Sequence, residues 1–223
     1  MRTKILCCQT LEPELRLAME ICGHAIEVEV LHENNHDVPH LLRRNIRAAL
    51  DDITDADRVL MAFTTCGGSM VGLRTGDFEL VIPRVDDCLS LLMGSMERRK
   101  EVLEGGFGIF LTKSWLDHEK GMEAELNRIR EKYPPQRARR VIDAMYGKFD
   151  SLNVIDTGAY DVADILPRTE ALAKRLNLTH RVVAGSTEYL QQLLCGPYDP
   201  ARFILIPPNT TVTEEHMLFR KLN

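Results

Sequence analysis

An α/β fold is predicted by two features of the sequence: mostly parallel sheets flanked by helices, in two Rossmann-like halves packed together. Short β-branched or apolar runs alternate with longer stretches of helical period. Each of those longer stretches carries an apolar face. Alternation of this kind builds βαβ units, and a βαβ crossover pairs its strands in parallel. The expected strands are Lys4–Cys8, Ile26–Leu31, Arg58–Phe63, Leu80–Pro83, Gly108–Thr112, Leu152–Asp156, His180–Ala184 and Arg202–Ile206.

The helical stretches follow from their spacing. Between the first two strands, Leu11, Leu15, Ala18, Met19 and Cys22 fall on one face. After the second strand Val38, Leu42, Ile46, Ala49 and Leu50 do the same, with Pro39 near the helix start, where its missing N–H costs nothing. Leu89, Leu92, Met93 and Met96 make a third stripe, and Val162, Ile165, Leu166, Ala173 and Leu176 a later one. Trp115 to Lys148 is charged and helix-favouring, and Pro134-Pro135 breaks it into two expected helices. The organisation read from this pattern is a first α/β half over residues 1–112, a helical crossover over 113–149 and a smaller α/β half over 150–223. No linker rich in Gly or Ser, internal repeat or low-complexity tract interrupts it.

Composition narrows the function. The chain has 223 residues, 44% hydrophobic and 27% charged, enough to bury a core without crosslinks. With 28 Lys and Arg against 33 Asp and Glu, the net charge of −5 disfavours a surface built to neutralise nucleic-acid phosphates or anionic lipid. No apolar run approaches the roughly 18 residues that span a bilayer. Only a strand-length apolar stretch follows Met1-Arg2-Thr3-Lys4, so no signal-peptide pattern is present. A cytoplasmic protein with no nucleic-acid or membrane partner is expected. Six cysteines in such a chain do not read as a disulfide framework, and no Cys-x-x-Cys pair marks a zinc ribbon or thioredoxin motif.

Ligands of open parallel sheets bind outside the carboxyl ends of the strands. The first predicted strand ends in Cys7-Cys8-Gln9-Thr10, the third in Thr64-Thr65-Cys66-Gly67-Gly68-Ser69, and the fourth in Pro83-Arg84, leading to Asp86-Asp87-Cys88. His32, His36 and His40 follow the second. Soft thiolates with an imidazole suit zinc, and three thiolates suit a [4Fe–4S] cluster. The expected ligands are therefore Cys8, Cys66 and Cys88, with His36 or a substrate in the fourth position. Cys7 and Cys8 point to opposite sides of a strand, and Cys8 lies nearer the loop. The competing reading is that free cysteines pack as small hydrophobes. It is preferred for Cys22, on an apolar stripe, and for Cys195, before Gly196-Pro197 at a helix end.

The neighbouring residues supply further candidates. Gly67, Gly68 and Ser69 form either an anion cradle for a cofactor or a tight strand-to-helix turn. Arg84 offers charge to a substrate carboxylate, and Asp87 a proton acceptor; a helix cap is the alternative for the Asp pair. Trp115 lines a pocket or packs in the core. Gly185-Ser186-Thr187-Glu188 reads as a helix cap before it reads as an anion site. His24, His118, His180 and His216 read as packing or surface residues, and the Arg98 and Arg137 clusters as solvated helix faces. Cys66 at a helix N-terminus is also a candidate nucleophile of a thiol enzyme. Phosphate-loop, Gly-x-Gly-x-x-Gly, Gly-x-Ser-x-Gly, His-Glu-x-x-His and corrinoid-anchoring Asp-x-His-x-x-Gly patterns are absent.

Taken in order, several pieces carry a resemblance. They are Cys8, His36-Asp37 with Pro39, Cys66-Gly67, Ile82-Pro83-Arg84 leading to Asp87-Cys88, and Leu91-Leu92-Met93-Gly94-Ser95. Thr112 with Trp115, Asp156-Thr157-Gly158, and Gly196 with Asp199, Phe203, Pro207 and Pro208 complete the set. Over most of its length the chain resembles a bacterial and archaeal family labelled as a domain of unknown function, whose members often sit beside corrinoid-dependent methyltransferase systems in anaerobes. It departs from the family pattern in three places. Asp86-Asp87-Cys88 stands for His-Asp-Cys, Thr64-Thr65-Cys66-Gly67 for Gly-Leu-Cys-Gly, and Asn209 for a glycine. The resemblance implies a methyl-transfer setting. The expected function is a metal-site protein, zinc or iron–sulfur, acting on a small molecule in methyl-transfer or one-carbon metabolism with methyltransferase or lyase-like chemistry. The alternative is a non-catalytic small-ligand or partner-binding accessory of a corrinoid methyltransferase system.

Overall fold

The first sheet is built around a strand whose two faces are both covered. Residues 1–32 and 38–217 are described by a computed structural model. Its strands are β1 (Thr3–Cys8), β2 (Glu27–Leu31), β3 (Arg58–Ala62), β4 (Glu79–Pro83), β5 (Gly108–Leu111), β6 (Ser151–Asp156), β7 (Thr179–Ala184) and β8 (Phe203–Ile206). Every expected strand is present, with ends within a residue of those read from the pattern. Its helices are α1 (Glu12–Cys22), α2 (Pro39–Asp52), α3 (Cys88–Leu92), α4 (Met96–Leu103), α5 (Lys113–Asp117), α6 (Met122–Lys132), α7 (Pro135–Tyr146), α8 (Leu166–Leu176), α9 (Glu188–Cys195) and α10 (Glu214–Met217). The protein is α/β with mostly parallel sheets, and among the described residues no helix is long and apolar enough to cross a membrane.

The chain divides into two units, residues 1–96 with 187–223, and residues 97–186. The first holds a sheet in the order β2-β1-β3-β4-β8. β1 pairs in parallel with β2 and β3, so Ile5 faces Val28 on one side and Leu60 on the other. Ile5, Leu6, Val59, Leu60, Met61, Leu80, Val81 and Ile82 are wholly buried. Such runs, apolar at consecutive positions, are what strands covered on both faces require. α1 and α9 pack on each other against this sheet. α1 ends at Gly23, whose φ of +66° gives the left-handed cap, its N–H bonding the Glu20 carbonyl. α2 starts on Pro39.

The second unit holds the parallel sheet β5-β6-β7. Its core joins Leu152 and Val154 of β6 to Leu111, Leu116, Leu126, Ile165, Leu172 and Leu178, with Trp115 packed at the margin. Trp115 therefore belongs to packing. The Arg168 guanidinium ties α8 to α5 and α6 through Asp117 at 2.6 Å and Glu123 at 2.8 Å.

Three expectations about organisation are corrected. The divisions at 112 and 150 do not match the units: β5 joins the second sheet, while α9 and β8 return to the first, where β8 pairs antiparallel with β4. The third stripe is two helices, because the chain turns at Gly94, φ +84°. The segment 113–149 holds three helices rather than two. Its additional break is at Gly121, where a Cβ would stand 2.6 Å from the Trp115 carbonyl oxygen. Leu60, at the centre of the first sheet, tests that core: Leu60→Ala is expected to lower the unfolding free energy by about 2–5 kcal/mol in urea denaturation, and a loss below about 1 kcal/mol would contradict its central role.

Candidate functional site

The first sheet reverses its order at β1. β2 is laid on one side of it and β3 on the other, so right-handed crossovers place α1 and α2 on opposite faces. The loops leaving β1 and β3 then diverge, and the crevice between them is where α/β sheets of this order take their ligands. Cys8 closes β1, Cys66 follows β3 after Thr64-Thr65, and Cys88 follows β4.

Because β1 is covered on both faces, both of its cysteines are buried, Cys7 completely and Cys8 to 2% exposure. The Cys7 thiol donates to the Cys8 carbonyl at 3.2 Å, and burial first, then the Cys8 thiol, pushes its pKa well above the ordinary thiol value. Cys8 Sγ lies 2.9 Å from Thr10 Oγ1, on the loop side. Glu14, in the first turn of α1, is also wholly buried, and its charge acts on Cys7. It was missed in the sequence. The available signal was an acidic residue on the stripe of Leu11, Leu15 and Ala18.

Cys66 sits in a left-handed backbone conformation, φ +40°, which side-chain-bearing residues rarely adopt. The strand-end loop is held there by Thr65 N–H on the Val85 carbonyl, Cys66 N–H on the Asp86 carbonyl at 3.1 Å, and the Thr65 hydroxyl on the same Asp86 oxygen at 3.0 Å. Cys66 Sγ lies 3.1 Å from Thr64 Oγ1. Burial raises the Cys66 pKa and the Asp87 charge adds to that, while the Thr64 hydroxyl and backbone work the other way. Only a three-residue 3-10 turn starts at Cys66, so no long helix supplies a dipole to it. A thiolate nucleophile is thus opposed by both burial and local geometry.

Other expected roles change. The Gly67-Gly68-Ser69 loop is not an open cradle: Gly68 and Ser69 N–H both bond the Thr65 carbonyl, and the wholly buried Ser69 hydroxyl donates to it as well. Arg43 of α2 donates to the Gly68 and Ser69 carbonyls and so fastens the loop to that helix. The Arg84 guanidinium donates to the Pro200 and His216 carbonyls at 2.9 and 3.4 Å, so it fastens the C-terminal segment to β4 rather than presenting itself to a carboxylate. Asp87 is the N-cap of α3 and accepts from Ser90 N–H at 2.7 Å, which assigns it to capping. Cys88, the first residue of α3, is buried at 7% exposure.

The same sheet edge thus receives Cys8, Cys66 and Cys88, but among the described residues no group of three or more His, Cys, Asp or Glu is placed to hold a metal ion. His36 lies outside the described residues. The second unit offers a separate feature that the sequence did not suggest. A cavity of about 500 Å³ is walled by Leu126, Ile142 and Tyr146 with Arg130 and Arg175 at its lining.

Two measurements test the strand-end chemistry. Cys66→Gly is expected to be more stable than Cys66→Ala by about 1 kcal/mol in urea denaturation, because both lose the thiol and only glycine relieves the left-handed backbone; the reverse order would refute the conformational assignment. The buried thiols of Cys7 and Cys66 hold protons in the native state that the unfolded chain releases above pH 9.0. Their contribution to stability is whole below that pH and is lost as pH rises toward the native values. Cys7→Ala should flatten this alkaline loss, and an unchanged slope would exclude Cys7 as its source.

No curated protein matches the chain. Among solved structures it is similar to the ligand-free, open structure of CD0873, a substrate binding protein with adhesive properties from Clostridium difficile. That likeness has 12% identity over 83% of this chain and 74% of that one, with a TM-score of 0.23. Residues 30–194 match the family model described as Protein of unknown function (DUF1638), which takes in the β3 and β4 strand ends with Cys66 and Cys88, and the chain belongs to that family.

Proposed function

We propose that the carboxyl edge of the first sheet is a small-molecule site at which Cys8, Cys66 and Cys88 bind a soft metal ion. The ion is zinc, or the iron of a [4Fe–4S] cluster, and the substrate belongs to methyl-transfer or one-carbon metabolism. One observation carries this reading: the strand-order reversal stands between Cys8 and Cys66, so two soft donors flank the crevice where sheets of this order take ligands. A second feature supports it. Cys66 occupies a left-handed position beside two glycines, where glycine would cost less, and backbone strain of that kind persists at functional sites.

The donors fit the metal in kind and not yet in arrangement. All three are sulfur, the ligand that selects zinc and iron–sulfur clusters. They do not stand together with a third donor around one point among the described residues, so binding has to draw them in. When bound, such an ion supplies Lewis acidity toward a substrate thiol or oxygen. The chain's own part is to bury the thiols, release the Cys66 proton on binding, and hold the loop through Thr65 and Asp86.

A metal-free reading is favoured by the same lack of a grouped donor set. In it the thiols pack against Thr10 and Thr64, and the crevice takes a small ligand or docks a partner in a corrinoid methyltransferase system without catalysing a reaction. Metal analysis of the anaerobically prepared, untagged protein separates the two. The metal reading expects about one zinc, or one iron–sulfur cluster with its brown colour, per chain. It expects that content to be lost in Cys66→Ala and in Cys88→Ala. Equal metal in all three proteins would overturn the assignment of Cys66 and Cys88 as its ligands, and no metal in the native one would overturn the metal reading in favour of the metal-free one.

A further inference from the structure

The amino-terminal end of the first sheet carries a second group of thiols that the sequence reading set aside as packing. Cys22 is the last residue of α1 and Cys195 the last of α9, and these two helices pack on each other. The Cys22 sulfur reaches the Gln191 carbonyl, one turn before Cys195 on α9, at 4.0 Å. Cys22 and Cys195 are close enough for each thiol to act on the other. On its other side Cys195 Sγ lies 3.6 Å from His24 Nε2, the imidazole just past the Gly23 cap of α1. Cys195 is exposed and Cys22 partly covered. A cavity of about 630 Å³ opens beside them, lined by His24, Ile26, Arg58, Cys195 and Tyr198. Cys22 and His24, neighbours in sequence, therefore meet the distant Cys195 at the mouth of a space large enough for a small molecule.

We propose that Cys22, Cys195 and His24 form a thiol–disulfide exchange site that reacts with low-molecular-weight disulfides and closes a Cys22–Cys195 disulfide. In the first step His24 Nε2 takes the Cys195 proton, and the Cys195 sulfur attacks one sulfur of the small disulfide. A mixed disulfide forms on Cys195, the small S–S bond breaks, and the departing thiolate takes the proton from His24. In the second step the Cys22 sulfur attacks the Cys195 sulfur, the mixed disulfide breaks, and the second small thiolate leaves with the Cys22 proton. The protein dithiol is oxidised by two electrons and one small disulfide is reduced to two thiols, so atoms and electrons balance.

The roles of the two cysteines follow from their surroundings. Cys195 is the accessible sulfur and the one touching a base, which makes it the attacker. Cys22 has its pKa pushed up to about 11, by burial first and then by Cys195 itself. Once Cys195 is bound in a mixed disulfide, the contribution it makes as a neighbouring thiol is gone and Cys22 becomes the better nucleophile. Cys22 ends α1, where the negative end of the helix dipole joins burial in opposing its thiolate. A reduced form that is not favoured as thiolate makes a disulfide that resists reduction, the opposite of the strongly oxidising exchange proteins. The closed state would join α1 to α9 across the sequence.

The test uses the full chain, reduced and then incubated anaerobically with bis(2-hydroxyethyl) disulfide, with peptide mapping by mass spectrometry over time. The native protein is expected to lose its Cys22 and Cys195 thiols together and to yield a Cys22–Cys195 crosslinked peptide. Cys22→Ser should stop at a mixed disulfide on Cys195, and Cys195→Ser should leave Cys22 unmodified over the same interval. His24→Gln should slow the first step about tenfold without changing the thermal midpoint. Modification of Cys66 or Cys88 ahead of Cys195, or a mixed disulfide that persists on Cys195 in the native chain, would overturn the proposal. An unaltered rate in His24→Gln would remove His24 from it.

Discussion

Parallel pairing of β1 with β3 is the constraint on which the first unit depends. Parallel strands cannot be joined by a tight turn, so each step across the sheet needs a crossover helix, and that helix has to cover a face. Placing β2 on one side of β1 and β3 on the other spends α1 and α2 on opposite faces. The result is a strand with no solvent side, and Ile5, Leu6 and Cys7 are all wholly buried at consecutive positions. The same reversal leaves a gap between the departing loops, and a gap at the carboxyl edge is the feature that a ligand can use.

Burial of this kind also decides the chemistry of the thiols that β1 and β3 deliver. A thiol inside the sheet stays neutral, because the charged form would be stranded in low dielectric. Neutral thiols suit two roles: packing groups that share a hydrogen bond with a neighbouring hydroxyl, and metal ligands that give up a proton to a cation. Cys8 with Thr10 and Cys66 with Thr64 already satisfy the first. The second requires a cation whose binding outweighs deprotonation and the movement of three loops. What distinguishes Cys66 is its backbone, since packing alone gives no reason for a non-glycine residue at φ +40°.

Local structure was readable because its causes are local. Strands covered on both faces must be apolar at consecutive positions, so runs such as Val59-Leu60-Met61-Ala62 and Leu80-Val81-Ile82-Pro83 declare themselves, and Pro39 and Pro135 mark helix starts by their missing N–H. Partnership was not readable, because strand runs of one composition pair equally well with several others. β5 was assigned to the first sheet and β8 to the second, and their hydrogen bonds reverse both. Side-chain roles were lost in the same way. Arg84 reads as a free cation until the Pro200 carbonyl is brought to it, and Cys22 and Cys195 read as inert until α9 returns to lie on α1. The carboxyl-edge cysteines were legible as a set only because the strand-end rule converts sequence position into spatial position before any pairing is known.

The two thiol groups of the first unit stand at opposite ends of one sheet, and their environments divide the labour of reactivity between them. At the carboxyl edge Cys8 and Cys88 are buried, and the Cys66 pKa is raised by burial, so an oxidant or alkylating agent meets few exposed thiolates there. At the amino-terminal edge Cys195 is exposed and in contact with an imidazole. A reagent in solution therefore encounters Cys195 before it encounters the strand-end set. Because α9 packs on α1 against the same sheet, a crosslink between their ends fixes two covering elements without touching a residue of the carboxyl edge. The proposed metal or ligand chemistry at one end and the proposed disulfide exchange at the other are thus separable within a single unit, and loss of one would leave the physical basis of the other in place.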